Sequence, residues 1–171
     1  KPPSEQERKI IFAALLGLGM NIGLEKMAQS TPGISYSQLA NAKQWRFYKE
    51  ALTRAQSVLV NYQLKLPVAD FWGEGKTTAS DGMRVPVGVS ALKSDVNPHY
   101  KSMEKGATMI RSINDRHTTH HIEVASTSTR EATHTLDGLL YHETDLDIEE
   151  HFTDTNGYSD QVFGMTALLG F

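Results

Sequence analysis

The chain has 171 residues, 39% of them hydrophobic, with a formal charge of −3 and no cysteine. That length suits one core, or a helical subdomain joined to part of another domain, and the absence of cysteine excludes disulfides and thiolate metal sites, as fits a cytoplasmic protein. No apolar run approaches the roughly 20 residues of a membrane helix, Glu5 and Glu7 do not suit a signal peptide, and the acidic balance argues against a dedicated DNA-binding module, which carries a strong basic surplus.

The chain opens on Lys1 and not on an initiator Met, as expected of a piece of a longer protein. Ser4-Glu5-Gln6-Glu7 has the form of a capping box, in which the serine accepts from the N3 amide and the glutamate reaches back to the cap. It predicts a helix to about position 16, where Gly17 and Gly19 weaken the pattern. A short helix follows from 24 to 28 and ends at Thr31-Pro32-Gly33. Ser35-Tyr36-Ser37-Gln38 offers a second box ahead of one long helix, along which Trp45, Tyr48, Leu52, Ala55, Leu59 and Tyr62 alternate spacings of three and four on a single apolar stripe. No cluster of Arg, Lys and Asn marks a DNA-reading face on these helices, so a packing subdomain is expected here in place of a helix-turn-helix. Pro67 closes the helical part, which sets the expected division at 1–68 and 69–171.

Beyond it, Val85, Val87 and Val89 alternate with Arg84, Pro86 and Gly88, the pattern of a strand with Ser80-Asp81-Gly82 at its head. Met109 to Ile113 predicts a second strand, and the alternation of His120, Ile122, Val124 and Ser126 a third. A helix is expected around Leu136, Leu139 and Leu140, a short strand at 148–152, and a last helix from 159 to 169. Thr153-Asp154-Thr155-Asn156-Gly157 stands between those last two elements. Both aspartate motifs are thus expected where a strand meets a turn, and ordinary turn chemistry accounts for either one alone, because Asp bonds its own backbone and Gly supplies positive φ.

Other constellations read more plainly. Gly73-Glu74-Gly75-Lys76-Thr77-Thr78 ends like a phosphate-binding loop, but the first glycine that motif requires is Asp70 here, and the loop runs into a strand where a helix is needed. It is expected to be a Gly-rich approach to the first strand, with Lys76 near a DNA phosphate. His117, His120 and His121 have the chemistry of zinc ligands, yet strand alternation points His120 and His121 to opposite faces, so an exposed polar strand edge is expected. Glu143, Asp145, Asp147, Glu149 and Glu150 read as a solvated helix end and loop. Asp160, after Ser159, suits the dipole at a helix N-terminus.

Three long segments carry a resemblance. Phe71-Trp72-Gly73-Glu74-Gly75 with Thr78-Ala79-Ser80-Asp81-Gly82, then Leu136-Asp137-Gly138-Leu139-Leu140-Tyr141-His142-Glu143-Thr144-Asp145, then His151-Phe152-Thr153-Asp154-Thr155-Asn156-Gly157-Tyr158-Ser159-Asp160-Gln161-Val162-Phe163 resemble, in order, the replicative DDE transposases of the Tn-three class of bacterial transposons. The resemblance implies an α+β chain in which a helical subdomain precedes the front half of a ribonuclease-H-like domain. It implies that Asp81 and Asp154 are the first two members of a DDE triad, whose third member, a glutamate, lies well downstream and outside these residues. It also implies DNA partners (transposon ends and target), a homo-oligomeric active complex, an end-recognition region outside this chain, and a place in the bacterial cytoplasm, at the nucleoid when acting.

The chemistry so implied is Mg²⁺-dependent, with Mn²⁺ as substitute. Attack on a phosphodiester must overcome its charge and a poor leaving oxygen, and two cations about 3.5–4 Å apart address both. Asp81 is expected to bridge them and Asp154 to hold one, since Mg²⁺ prefers rigid oxygen ligands. The chain by itself is expected to be inactive for want of the third acid. A non-catalytic folding or interaction module and a nuclease of the same fold are the alternative expectations.

Overall fold

The structure, a computed structural model, describes residues 2–88, 90–98, 104–129, 131–155 and 157–171, so Lys1, Val89 of the alternating run and Asn156 of the second motif lie outside the described residues. The chain forms two compact units, Lys1–Arg54 and Ala55–Phe171.

The first unit contains α1 (Glu5–Gly19), α2 (Leu24–Ser30), α3 (Tyr36–Arg46) and the start of α4 (Lys49–Gln63). Both capping boxes form as expected, on Ser4 with Glu7 and on Ser35 with Gln38. Ala13, Ala14, Ile34, Leu39 and Ala42 make its core, and Ile10, Met27 and Phe47 pack against it. Two helical expectations need correction. Gly17 does not end α1; it is buried, and the Met27 side chain fills the space beside its backbone. The long helix is two helices, because the chain leaves helical geometry at Phe47 (φ −108°, ψ 54°) and lays that ring on the core. Packing overrides propensity at this point. The expected stripe is accordingly not a core: Trp45, Tyr48, Leu52, Leu59 and Tyr62 are all exposed, while Leu39, Ala42 and Val60 are buried.

The second unit is α+β. After α4 and a 3₁₀ turn (Pro67–Phe71) come β1 (Thr77–Pro86), β2 (Gly106–Asn114), β3 (Thr119–Ser126), α5 (Ala132–Leu140), β4 (Glu150–Thr153) and α6 (Asp160–Leu169). The sheet order is β3-β2-β1-β4. The first three strands form an antiparallel meander, and β4 joins the free edge of β1 in parallel. A parallel neighbour requires a crossover, which α5 supplies.

Where the sequence divides at Pro67, the packing divides inside α4, because its second half bonds to the sheet unit. Gln56 donates to the Thr119 carbonyl (2.6 Å), Gln63 to the Arg116 carbonyl (2.9 Å), and Asn61 accepts from the Asp145 amide (2.9 Å). Val60, Leu139, Leu146 and Ile148 form the apolar core of this unit. Leu146 and Ile148 alternate with exposed Asp145, Asp147 and Glu149, so the acidic run faces water as expected.

The sheet face under α5 is unusually polar: Thr78, Ser80, Thr108, Ser112, Asn114, His120 and His121 are all buried. This corrects the expectation of an exposed histidine edge. Ser112 pairs with His121 but Ile113 pairs with Thr119, so His120 is the extra residue of a β-bulge. A bulge breaks the two-residue alternation, and both rings enter the buried layer. Gly138 lets α5 close on this face, since a Cβ there would lie 2.7 Å from the Ser112 hydroxyl oxygen.

Candidate active site

Asp81 stands inside β1 and not at its head, so no turn forms at Asp81-Gly82. Its cross-strand partner is Arg111, on the exposed face of the sheet. Asp154 is the residue that follows β4, as expected. Its carboxylate accepts from the Gly157 amide (3.0 Å) and its carbonyl from the same amide (3.1 Å), a tight turn that leads to the Ser159 cap of α6.

Strand register sets each aspartate one position beyond a paired residue. In the parallel pairing of β1 with β4, Thr78 faces His151 and Ser80 faces Thr153. The next position on each chain is Asp81 and Asp154, 73 residues apart in sequence. His151 holds that register: its Nδ1 lies 2.7 Å from Thr78 Oγ1 and its Nε2 2.9 Å from Ser80 Oγ. The Thr78 hydroxyl also lies 3.3 Å from the Glu150 carbonyl, and the two ring nitrogens of a neutral His151 serve one hydroxyl each, one nitrogen donating and the other accepting. Burial presses His151 down to about 4, which keeps the ring neutral.

A third carboxylate, which no spacing in the sequence marks, approaches β1 at Gly82, the residue after Asp81. Glu131 immediately precedes α5, and its carboxyl group lies against the backbone of Gly82. Burial, then the charge of Asp154, then that of Asp81, push the Glu131 carboxyl above its ordinary range. The only local trace of this in the sequence is Gly82 itself, since glycine inside a strand marks a close approach of other atoms.

The remaining candidates fall elsewhere. Lys76 pairs with Glu149, and that partner raises its pKa. The glycine-rich stretch is occupied by protein: the Gly75 amide donates to the Asp115 carboxylate at 3.0 Å. His117 is exposed and meets Trp72 edge-on at 5.0 Å. Asp160 opens α6 and accepts from the Tyr158 hydroxyl (2.5 Å). His120 packs edge-on against His142 (5.7 Å), and neither of its ring nitrogens has a hydrogen-bond partner of normal geometry. Among the described residues, the one group of three that brings ligand atoms within 4.8 Å of one another is Glu123, His134 and Asp137, where Lys93 already lies 3.6 Å from Glu123. No helix among the described residues is long and apolar enough to cross a membrane.

Asp81 within β1 and Asp154 just after β4 carry oxygen donors of the kind hard divalent cations prefer. The Tn3 transposase DDE domain family matches residues 1–171. The chain is 55% identical to the transposase for transposon Tn1546 of Enterococcus faecium over its whole length, which is 17% of that protein. It is 41% identical to the transposase for transposon Tn501 of Pseudomonas aeruginosa over 97% of the chain and 17% of that protein, and 34% identical to the transposase for transposon gamma-delta of Escherichia coli K12 over 94% of the chain and 16% of that protein. The chain thus spans about a sixth of the length of the curated relatives it matches, and with the family match extending over every residue, it belongs to the Tn3 transposase DDE domain family.

Proposed function

We propose that Asp81 and Asp154 are catalytic carboxylates of a transposase that, as a whole protein, cleaves transposon 3′ ends and joins them to target DNA in replicative transposition. The reading rests on the register of β1 with β4, whose last pair, Ser80 with Thr153, immediately precedes both aspartates. The antiparallel meander with β4 parallel to β1 supports a ribonuclease-H-like front half for residues 69–171.

Mg²⁺ bound by these carboxylates supplies charge neutralisation at the scissile phosphate and stabilisation of the departing oxygen. The chain's own part is positional. β1 and the end of β4 position the Asp81 and Asp154 backbones, His151 fixes their register, and Arg111, the cross-strand partner of Asp81, sets a cation beside it. The partners are DNA, at transposon ends and target, and further copies of the protein, acting at the bacterial nucleoid.

The test is Mg²⁺-dependent strand transfer by the full-length protein. Asp81→Asn and Asp154→Asn are each expected to abolish cleavage and joining while end binding stays within a few-fold of wild type. Equal loss of binding and chemistry sinks the reading in favour of a folding role, and products that are hydrolysed but never joined point to a nuclease.

A further inference from the structure

The sheet face opposite α5 is open, and register orders it into rows. Asp81, Arg111 and Ile122 stand side by side across β1, β2 and β3, and Met83, Met109 and Val124 form the next row, all six of them exposed. The other acidic or basic side chains of these strands, Arg84 and Glu123, alternate to the opposite face, where Glu123 meets His134 of α5 at 3.2 Å. Among the described residues, the outward face of the three strands thus carries two charges, Asp81 and Arg111.

They are neighbours without being partners. Directly opposed residues of an antiparallel pair bring their Cβ atoms about 4.5–5.5 Å apart, yet no ion pair joins Asp81 to Arg111 among the described residues. Asp81 is left to a cation and the guanidinium to an anion. Its planar fork matches two oxygens of a phosphate at once. A face that tracked a DNA backbone would display several Lys and Arg side chains, whereas a lone guanidinium set among Met109, Ile122 and Val124 suits one phosphate, and apolar neighbours strengthen that contact by lowering the local dielectric. Adjacent strands lie about 4.8 Å apart, so a phosphate on Arg111 sits next to whatever Asp81 acts on.

We propose that Arg111 binds a single phosphate of the reacting DNA strand, at or beside the bond that is cleaved. The inference rests on the reading of Asp81 as a catalytic carboxylate and names the substrate group that its neighbour takes.

The test is joining of a pre-cut transposon end to target DNA by the full-length protein in Mg²⁺, measured as kcat/KM, with single neutral methylphosphonates placed in turn along the transferred strand. Arg111→Gln is expected to lose at least about tenfold on unmodified DNA, and the slope of log affinity against log salt should fall by about one. The loss should vanish on the DNA whose methylphosphonate lies at or beside the reacting position and persist on the others, because removing both partners of one contact is not additive. Arg111→Lys keeps the charge without the fork and should recover part of the loss. Wild-type kcat/KM in Arg111→Gln overturns the proposal, as does a loss that no methylphosphonate relieves, which is what a role in folding alone would give, or one relieved only far from the reacting position. Wild-type joining by Asp81→Asn overturns the site reading instead, and the coupling of Arg111 to a phosphate is read independently of it.

Discussion

Nε2 of His151 sits 2.9 Å from the hydroxyl of Ser80, the residue before Asp81, so one side chain ties the edge strand to the strand it completes. β4 has only four residues, and so short a strand contributes few ladder bonds. The imidazole adds two side-chain bonds across the same pair of strands, to Thr78 and Ser80, both buried. His151→Ala leaves two buried hydroxyls without this partner, at about 1–3 kcal/mol. It should lower the melting temperature and weaken Mn²⁺ binding through slippage of Asp154 against Asp81. His151→Gln, which restores one bond, should recover part of both. Unchanged Mn²⁺ affinity in His151→Ala would show that β4 holds its register without the ring.

The buried histidines predict a stability that depends on pH. Burial first, then His142, His121 and His151, press His120 down to about 3; burial also lowers His142, and His151 falls to about 4. The fold therefore favours neutral rings, whereas the unfolded chain takes protons near pH 6.5. Because the unfolded state binds more protons, stability is full above about pH 6.5 and declines below it, continuing towards pH 4 and then 3. Each pH unit in that window costs about 1.4 kcal/mol for each ring that stays neutral. Urea unfolding at pH 7.5, 6.0 and 5.0 should show the fall, and His120→Phe should flatten it. A pH-independent midpoint across that range would refute the account.

Much of this fold is legible from local chemistry. The Ser4 and Ser35 capping boxes and the order of strands and helices depend on residues within a few positions of one another. What escaped depends on distance in sequence. One extra residue at His120 reversed the expected facing of its ring, and alternation has no means of announcing a bulge. Phe47 ended a helix without Gly or Pro, because its ring joined a core built by α1, Ile34 and α3. Glu131 reaches Gly82 only through the fold, since nothing local distinguishes it from a solvated glutamate ahead of a helix.

Arg116 separates burial from charge. Its side chain is 9% exposed, pairs with Asp70 at 2.9 Å and donates to the Leu64 carbonyl at 3.1 Å, while Asp70 is 67% exposed. Asp70→Asn removes a partner that water replaces, so it should cost under about 1 kcal/mol. Arg116→Ala also strips the Leu64 carbonyl of its donor and leaves a gap beneath α4, for about 2–4 kcal/mol. Thermal unfolding of the two variants decides it, and equal costs would mean the ion pair dominates.

Gly138 sets two opposing effects against each other. Glycine inside a helix ordinarily loses about 1 kcal/mol to alanine, so Gly138→Ala in α5 gains that much from propensity. The new Cβ, however, would stand 2.7 Å from the Ser112 oxygen on a buried strand, and overpacking of that kind costs about 1–3 kcal/mol. The clash should win, leaving a net loss and shifting α5 away from β2. Ser112→Ala in the same chain removes the obstructing hydroxyl, so the double variant should recover most of the stability. A stabilised Gly138→Ala would show that α5 rides on the sheet loosely enough to yield without cost, and the close packing of Gly138 on Ser112 would not be what holds the helix there.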